Sequence, residues 1–398
     1  MLQAFQNNEA LGDEALGDEA MGDEALGDTA QIPVYQPLLN GREREYVLDC
    51  VESGWVSSRG AYVGKFEAKL AQVLGVEHAI SVCNGTAALH LALHCLGVGP
   101  GDEVIVPAFT YIASVATISQ TGATPVFCES RADDWLIDVS KIEALITPRT
   151  RAIVPVHLFG GVCDMKAIML IAKRHGLRVV EDCAECLGST RDGLHPGTFG
   201  DIGTFSFFGN KTITTGEGGA VCTGDAALAA RLAKVKNHGM STTLRYWHDE
   251  NGFNYRMTNI AAAIGLAQFE RLDEILAMKR DIAARYRELM AAMPVTFQAL
   301  GETTLSSEWL VSLLLPAAAN RDAVMEAMQE LKVETRPVFY CAHHMPAYAE
   351  MARGLSLPVA EEISARGMSL PSFPGLTMRD QQRVVTALRQ ALAAQGIS

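Results

Sequence analysis

The sequence predicts an α/β fold, with a mostly parallel central sheet flanked by helices and a smaller C-terminal α+β unit. Short apolar runs alternate with helical stretches between residues 79 and 223, and this alternation is typical of parallel strands joined by crossover helices. Residues 258–292 then resemble one long or broken helix, and residues 293–398 a smaller α+β unit. A chain of 398 residues with 48% hydrophobic side chains can bury a large core in two or three structural units.

The expected strands are short apolar segments. They are AISVC (79–83), EVIVPA (103–108), TPVFC (124–128), AIVPVHLF (152–159), RVVEDC (178–183), TFSFF (204–208) and GAVCT (219–223). Helices are expected over residues 86–96, from about residue 111, and ahead of the strands that begin at residues 152 and 178. Because ligands of such sheets bind at the carboxyl ends of the strands, residues that follow a strand are the first candidates for a site.

Residues 1–31 form an acidic extension that precedes the globular sequence. Residues 9–28 read EALGDEALGDEAMGDEALGD, a five-residue repeat that matches neither the helical nor the strand period. Its glycines and like charges predict disorder, and an acidic interaction tail remains the alternative. The rest divides into an expected large α/β domain, residues 32–292, and a small α+β domain, residues 293–398.

The charge of the chain argues against a nucleic-acid surface. The net charge is −13, and eight of the acids lie in residues 1–30, which contain no Lys or Arg, so removing them leaves −5 for the rest. No apolar run approaches the roughly 18–20 residues of a transmembrane helix, and the N-terminus lacks the pattern of a secretory signal. These features predict a cytoplasmic protein without a membrane partner.

The cysteines predict reduced core residues. Their number is odd and they are scattered through apolar segments, at Cys50, Cys83, Cys95, Cys128, Cys163, Cys183, Cys186, Cys222 and Cys341. Cys183 and Cys186 form a C-x-x-C, but no second pair completes a zinc site, so no metal is expected. A metal or redox role for this pair is the alternative.

Three stretches carry residues that could perform chemistry. In SVCNGTAALHLAL (81–93) a strand ends, a turn follows and a helix begins, so free backbone N–H groups could bind a phosphate. In VVEDCAECLGS (179–189) an apolar strand ends in Glu181 and Asp182, where a carboxylate can reach the ligand cleft. In SFFGNKTITTGEGGAV (206–221) Lys211 lies between aromatic residues and a glycine-rich turn, which could favour a neutral, nucleophilic amine.

Each stretch also has an ordinary structural interpretation. They are a capped strand-to-helix turn, a helix-capping aspartate and a solvated loop lysine. Together, however, they match what pyridoxal 5′-phosphate (PLP) requires. The phosphate of PLP binds a helix N-terminus, its ring nitrogen pairs with a carboxylate, and its aldehyde forms a Schiff base with a lysine. The combination therefore predicts a PLP site.

Eight motifs, in order along the chain, then reveal a family resemblance. They are IPVYQPLLNGREREYVLDCVESGWVSSRG, NGTAALHLAL, PAFTYIAS, PVHLFG, VEDCAECLGS, SFFGNKTITTGEGGAV, NGFNYRMTNIAAAIGLAQ and ETRPVFYCAHHMPAY. By these motifs about residues 32–390 resemble the DegT-type sugar aminotransferases, a family of fold-type I PLP enzymes. The resemblance implies the PLP-transferase fold of type I.

The resemblance also implies roles for individual residues. Lys211 would form the Schiff base and Asp182 would pair with the pyridine nitrogen. The phosphate would be bound by Gly85, Thr86, Ala87 and Ser206, and by Asn254 from the neighbouring subunit of a homodimer. Tyr111 would stack on the cofactor ring, and Glu185 would lie near its phenolic oxygen. Substrate-binding residues would be Trp55, Ser58, Arg336 and His343.

Structural interpretations remain open for four of these residues. Tyr111 and Trp55 could be packing residues, Glu185 a solvated helix residue and Asn254 a turn residue. Cys341 occupies a position where relatives often have proline, so the local turn could differ from theirs.

The implied reaction moves the amino group of L-glutamate to the C4 ketone of a nucleotide-linked 4-keto-6-deoxysugar. GDP-4-keto-6-deoxy-D-mannose is the expected acceptor, for the biosynthesis of a surface polysaccharide such as O-antigen, and dTDP- or UDP-linked sugars are the alternatives. The related sugar 3-dehydratases have histidine in place of the Schiff-base lysine, so Lys211 argues against them. Cyclitol or aminobenzoate-type relatives and a non-catalytic binding homologue are further alternatives.

Overall fold

The computed structural model describes residues 30–397. The acidic repeat of residues 9–28 lies outside this range. The first described segment runs along the C-terminal part of the chain, where Ile32 forms a parallel bridge with Val333.

The strands form one large sheet and smaller sheets. They are β1 (His78–Val82), β2 (Glu103–Pro107), β3 (Thr124–Cys128), β4 (Thr150–Ile153), β5 (Arg178–Asp182), β6 (Thr190–Arg191), β7 (Ile202–Ser206), β8 (Gly219–Thr223), β9 (Thr296–Phe297), β10 (Thr304–Leu305), β11 (Ser312–Leu314), β12 (Arg336–Pro337) and β13 (Gly367–Ser369). The seven-stranded sheet has the order β1-β8-β7-β5-β4-β2-β3. Its strands are parallel except for β8, which pairs antiparallel with both β1 and β7. The predicted mostly parallel sheet is confirmed.

The helices alternate with these strands between β1 and β5. They are α1 (Glu43–Glu52), α2 (Ala61–Leu74), α3 (Gly85–Cys95), α4 (Ala113–Gln120), α5 (Val139–Ile142), α6 (Met165–His175), α7 (Ala226–Val235), α8 (Asn259–Glu270), α9 (Leu272–Leu289), α10 (Arg321–Glu330), α11 (Pro358–Arg366) and α12 (Met378–Ala393). Short 3₁₀ turns cover Glu143–Leu145, Leu158–Gly160 and Ala342–His344. The long helix expected over residues 258–292 is broken at Arg271, between α8 and α9.

Side-chain caps fix where several helices begin. The side chain of Asp164 accepts from Ala167 N at the start of α6, and Thr258 accepts from Ala261 N at the start of α8. Each cap satisfies a backbone N–H that has no partner inside the helix. The start of α3 is capped in the same way by Asn84, which places this helix end against the sheet edge.

The fourth strand is shorter than the sequence predicts. Instead of spanning residues 152–159, β4 ends at Ile153, and residues 158–160 form a 3₁₀ turn. Pro155 has no N–H to donate to a neighbouring strand, and Phe159 has a left-handed backbone with φ of 54°. Past Ile153 the apolar run keeps a parallel bridge between Val156 and Asp182, and it then turns at Phe159.

The C-terminal part of the chain builds a second sheet and its own core. Strands β12, β13, β11 and β9 pair in that order, all antiparallel. Buried residues of α9, α10 and α12 pack on this sheet, and Ile32 from the first described segment joins the same cluster. Within residues 30–397 no helix combines the length and the apolar character needed to cross a membrane.

Candidate active site

A cavity of about 470 Å³ opens at the carboxyl edge of the large sheet. It is lined by residues at or just after the ends of β1, β5 and β7, and by residues 309–310 and 336–339 of the C-terminal part. The predicted site residues that line it are Gly85, Thr86, Tyr111, Asp182, Glu185, Ser206, Lys211 and Arg336. The predicted residues Ala87, Trp55, Ser58, Asn254 and His343 are not among the lining residues.

The amino end of α3 offers two free backbone amides to the cavity. Asn84 caps the helix: its side chain accepts from Ala87 N at 2.8 Å, and its carbonyl accepts from Ala88 N at 3.1 Å. The amides of Gly85 and Thr86 come before the first intrahelical bond and therefore point outward without a helical partner. This end of α3 suits an anion through Gly85 and Thr86, whereas the Ala87 amide is already bonded to Asn84.

The backbone at Gly85 lies very close to β7. A Cβ placed on Gly85 would be 2.7 Å from the Cβ of Ser206 and 3.1 Å from its hydroxyl oxygen. Only a residue without a side chain leaves both the free amides and the Ser206 hydroxyl accessible to the same anion. The narrow gap therefore forms a cradle for a phosphate-sized group.

Replacing Gly85 by alanine should weaken phosphate binding and destabilise the protein. Alanine is the better helix former, but the new methyl group would overlap Ser206, and overpacking of this kind costs about 1–3 kcal/mol. Thermal unfolding of the cofactor-free protein and titration with PLP would measure both effects. Gly64→Ala is the matched control, because it also lies in a helix but has open space around it, and it should be neutral or slightly stabilising.

Asp182 ends β5 with its carboxylate held by two donors. The Ser114 hydroxyl donates to Oδ2 at 2.7 Å, and the Ala184 amide donates to Oδ1 at 3.1 Å. Its side chain is 5% exposed and lines the cavity, so the orientation of the carboxylate is determined by the protein rather than by solvent. Such a carboxylate can pair with a ring N–H.

Lys211 and Glu185 meet inside the cavity. Lys211 Nζ lies 3.8 Å from Glu185 Oε1 and 4.0 Å from the centre of the Trp309 ring. Burial lowers the pKa of the Lys211 amine, while the charges of Glu185 and Asp182 oppose this shift. Burial raises the pKa of Glu185 to about 7, against the opposing charge of Lys211. The two pKa values therefore approach each other, which favours proton transfer between the carboxyl and the amine.

Glu185 is oriented by a strained residue. The Phe159 amide donates to Glu185 Oε2 at 3.1 Å, and Phe159 holds its left-handed backbone in a buried position. A bulky residue with positive φ is rare and marks stored strain. Two stacked rings support the Phe159 ring, with Trp309 at 6.0 Å and Phe339 at 5.5 Å between ring centres.

Replacing Glu185 by glutamine should change how the stability of the cofactor-free protein depends on pH. Because the folded-state pKa of Glu185 is about 7 and the ordinary value is 4.5, the folded protein binds a proton between these pH values that the unfolded chain does not. Wild-type stability therefore falls as the pH rises through this window, by roughly 2 kcal/mol from this group, and the variant should lack that decline. Urea unfolding at pH 5 and pH 7.5 measures the difference.

The control for that measurement is Glu288→Gln, which makes the same change on an exposed helix position. It should follow the wild-type pH dependence. Parallel profiles for Glu185→Gln and the wild type would show that Glu185 does not titrate in this window.

Tyr111, predicted to stack on the cofactor, and the predicted substrate residues divide between the cavity and its surroundings. Tyr111 is 56% exposed and lies 5.7 Å from Phe339, so its ring offers a face to the cavity. Arg336 lines the cavity and pairs with Glu334 at 3.3 Å. His343 is buried, and its Nε2 lies 3.1 Å from a carboxylate oxygen of Glu361. His343 is therefore a buried, hydrogen-bonded residue that does not line the cavity.

The three remaining predicted residues lie outside the cavity. Trp55 is 57% exposed, and its carbonyl accepts from the Asn259 side chain at 2.6 Å. Ser58 is partly exposed in the same segment. Asn254 is exposed, and its side chain accepts from Arg256 Nε at 2.9 Å. In this chain these residues form an outer surface.

A buried cluster below the cavity resembles a metal site, but its ligand atoms are already bonded. The nearest possible ligand atoms of His157, Glu181 and Cys183 lie within 4.8 Å of one another. The Glu181 carboxylate, however, accepts three backbone N–H bonds, at 2.7–2.9 Å, and lies 3.2 Å from His157 Nε2. His157 Nδ1 accepts from the Cys163 amide at 3.1 Å. The cluster anchors the strand that presents Asp182.

Several important residues were not predicted from the sequence. Ser114, Phe159 and Trp309 orient the groups in the cavity, yet each lies far from its partner along the chain. Ser114 and Phe159 fall within matched motifs, PAFTYIAS and PVHLFG, and this was the available signal. Trp309 had none.

Together, the residues that line the cavity fit PLP. Two free amides and a hydroxyl meet at the Gly85 cradle, a fixed carboxylate stands at the end of β5, and one amine approaches from the Lys211 turn. Residues 37–389 match the DegT/DnrJ/EryC1/StrS aminotransferase family. The chain belongs to this family. The predicted enzyme class and its PLP cofactor are confirmed, and PLP would be held by Lys211 and the α3 end.

Close relatives cover most of the chain. It is 50% identical to a GDP-perosamine synthase of Escherichia coli O157:H7, over 87% of this chain and 94% of that protein. It is 47% identical to the GDP-perosamine synthase of Vibrio cholerae, over 87% of this chain and 95% of that protein.

A solved structure from the same group supports both fold and cofactor. It is described as a sugar aminotransferase of Streptococcus pneumoniae in its PLP form. The match has a TM-score of 0.87 at 28% identity, and covers 92% of this chain and 99% of that one. The predicted fold class is therefore confirmed as that of PLP aminotransferases.

Proposed function

We propose that this aminotransferase moves the amino group of L-glutamate to the C4 ketone of GDP-4-keto-6-deoxy-D-mannose, forming GDP-perosamine and 2-oxoglutarate. The observation that carries the proposal is the convergence of Lys211, Asp182 and Glu185 on one cavity in a chain about half identical to GDP-perosamine synthases. The products keep every atom of the reactants, because amine and ketone oxygen are exchanged between the two carbon skeletons.

The proposed roles follow from the contacts in the cavity. When bound, PLP would supply an aldehyde carbon for the amino group and a ring that withdraws electrons from the substrate carbon. Gly85, Thr86 and Ser206 bind the phosphate, and Asp182, fixed by Ser114, keeps the ring nitrogen protonated. Tyr111 lines the cavity, and its ring would pack on the cofactor ring and exclude water from that side.

Lys211 and Glu185 handle the protons. Lys211 would hold the cofactor covalently, and its amine, when free, would remove and return the substrate proton. Glu185 lies 3.8 Å from the Lys211 amine and can take up its proton, so the amine regains its basic form between steps. Burial lowers the pKa of the Lys211 amine and raises that of the Glu185 carboxyl, so the two pKa values move toward each other and proton transfer between the groups is favoured.

We further propose a homodimer in which each subunit completes the cavity of the other. Asn254 is exposed and does not line the cavity of its own chain, which suits contact with the phosphate bound by a partner subunit. Trp55 and Ser58 lie on a surface that could meet the nucleotide-sugar of that partner site, and Arg336 would contact it from within the cavity. His343 would act on substrate only indirectly, because it does not line the cavity.

The wider assignments are also proposals. They are a large PLP-binding domain over residues 32–292, a small domain over residues 293–398, a cytoplasmic location and a role in surface polysaccharide biosynthesis. The separate C-terminal core supports the division, although Ile32 and α9 pack into it from the larger part.

An absorbance titration tests the function. The purified protein with PLP should show the band of lysine-bound cofactor, L-glutamate should convert it to the pyridoxamine form, and GDP-4-keto-6-deoxymannose should restore it. Conversion without restoration would keep the aminotransferase but reject the GDP-linked acceptor, and would direct the search to dTDP- and UDP-linked sugars. Absence of any bound cofactor would favour the non-catalytic binding homologue.

A further inference from the structure

The amine of Lys211 lies over the face of an indole. Its Nζ is 4.0 Å from the centre of the Trp309 ring, and Trp309 is 3% exposed. A cation within about 6 Å of a tryptophan face is attracted by the ring, most strongly where water is excluded. Trp309 therefore stabilises the charged form of the amine, against the burial that lowers its pKa.

The indole is locked in position at its edge and its face. Trp309 Nε1 donates to the Asn210 carbonyl at 2.7 Å, directly before Lys211 in the chain. Phe159 stacks on the ring with an interplanar angle of 17°, and the amide of the same Phe159 holds Glu185. One aromatic unit thus positions both groups that lie nearest to the amine.

A second side chain anchors the turn that carries the lysine. The Tyr35 hydroxyl donates to the Lys211 carbonyl at 2.5 Å, so the carbonyls of two consecutive residues, Asn210 and Lys211, are both held. The backbone of the turn is fixed by residues distant in sequence. The amine must therefore move by rotation of its own side chain.

We propose that the face of Trp309 is the resting position of the Lys211 amine whenever this amine is not bonded to the cofactor. Trp309 is then a positioning residue: it keeps the displaced amine inside the cavity, beside Glu185, between the two half-reactions. The proposal rests on the proposed function, because it requires that Lys211 alternates between bonded and free states.

Other charged groups near the Lys211 amine also act on its protonation, beside the indole. Glu185 lies 3.8 Å from Nζ, Asp182 lines the same cavity, and Arg336 lies on the C-terminal wall. The carboxylates and the indole all favour the charged amine. Removing the indole alone should therefore lower the pH at which the amine becomes neutral, without eliminating the ion pair.

Site-resolved labelling of Lys211 tests this inference. Full-length protein, both cofactor-free and loaded with pyridoxamine phosphate, would be treated with acetic anhydride over a range of pH, and acetylation of Lys211 quantified by mass spectrometry. Trp309→Leu should move the labelling profile down by about 0.5–1 pH unit, a three- to ten-fold rise in neutral amine at a given pH. Trp309→Phe keeps a weaker π face and should lie between leucine and the wild type.

If the role of Trp309 is purely structural, the labelling profile should shift in the opposite direction. If Trp309 only fills space, the smaller leucine admits water, hydration favours the charged amine, and the profile moves up rather than down. An upward shift or an unchanged profile would overturn the proposal. If Trp309→Leu fails to fold, the direction of the Trp309→Phe shift decides alone.

Two controls separate this inference from the proposed function. Trp247→Leu makes the same change at an indole that is 60% exposed and outside the lining residues, and should leave the profile unchanged. If the wild type binds PLP on Lys211 but Trp309→Leu leaves the labelling profile unchanged, the resting position alone is refuted. Wild-type protein that never forms the PLP band would refute the function itself.

Discussion

Lys211→Ala should abolish amino transfer, lowering turnover by at least about 10³-fold, because this residue supplies both the covalent attachment and the base. Lys211 is the only lysine among the described residues that line the cavity, so no other lysine of the cavity can replace it. Steady-state turnover with glutamate and the keto-sugar measures the loss. Borohydride reduction followed by mass spectrometry should find PLP attached to Lys211 in the wild type and nowhere in the variant.

The control for the lysine substitution is Lys173→Ala. Lys173 is exposed on α6 and does not line the cavity, so its removal should leave turnover unchanged. PLP trapped on another lysine of the Lys211→Ala variant, with turnover retained, would show that the amine of the reaction has been misassigned.

Asp182→Asn should reduce turnover by about 10²–10³-fold, a loss expected when a charge that acts on the reacting system is removed. An amide cannot hold the ring nitrogen of PLP protonated, so the electron withdrawal that the cofactor supplies is weakened. Asparagine keeps the shape of the side chain and can still accept from Ser114, so the fold should persist. Turnover, together with PLP affinity measured separately, distinguishes lost chemistry from lost binding.

Asp225→Asn is the matched control for this carboxylate. Asp225 caps α7 by accepting from the amides of Ala227 and Leu228, and asparagine caps helices about as well as aspartate. This variant should keep full turnover. A comparable loss in both variants would point to a general effect on folding, and full turnover in Asp182→Asn would remove the ring-nitrogen role from Asp182.

The positions of the strands that carry the site could be predicted because each is short, apolar and followed by polar residues. β3 and β8 match their predicted bounds, 124–128 and 219–223, and β5 ends at Asp182, one residue before the predicted end. β4 could not be predicted in the same way. Its apolar run continues past Ile153, and only the turn at Phe159, which aims an amide at Glu185, shows that the strand has ended.

At the amino end of α3, the sequence could predict only part of the candidate anion site. The NGT turn predicted free amides at a helix start, and the structure places two of them beside Ser206. The sequence could not show that the Asn84 side chain takes the Ala87 amide, because a capping side chain and a bound phosphate compete for the same N–H groups. The rotamer of Asn84 resolves that competition.

The sequence by itself determined the α/β class, the PLP aminotransferase family and the candidate lysine and aspartate, because periodicity and motif order are local properties of the chain. Only the tertiary structure decided that Glu185 lies against Lys211, that Trp309 lies under its amine, and that His343 is buried and does not line the cavity. Trp309 is 98 residues from Lys211, and no local pattern encodes a contact over such a separation. The shifted pKa values of Glu185 and Lys211 arise from burial, which exists only once the distant segments have packed together.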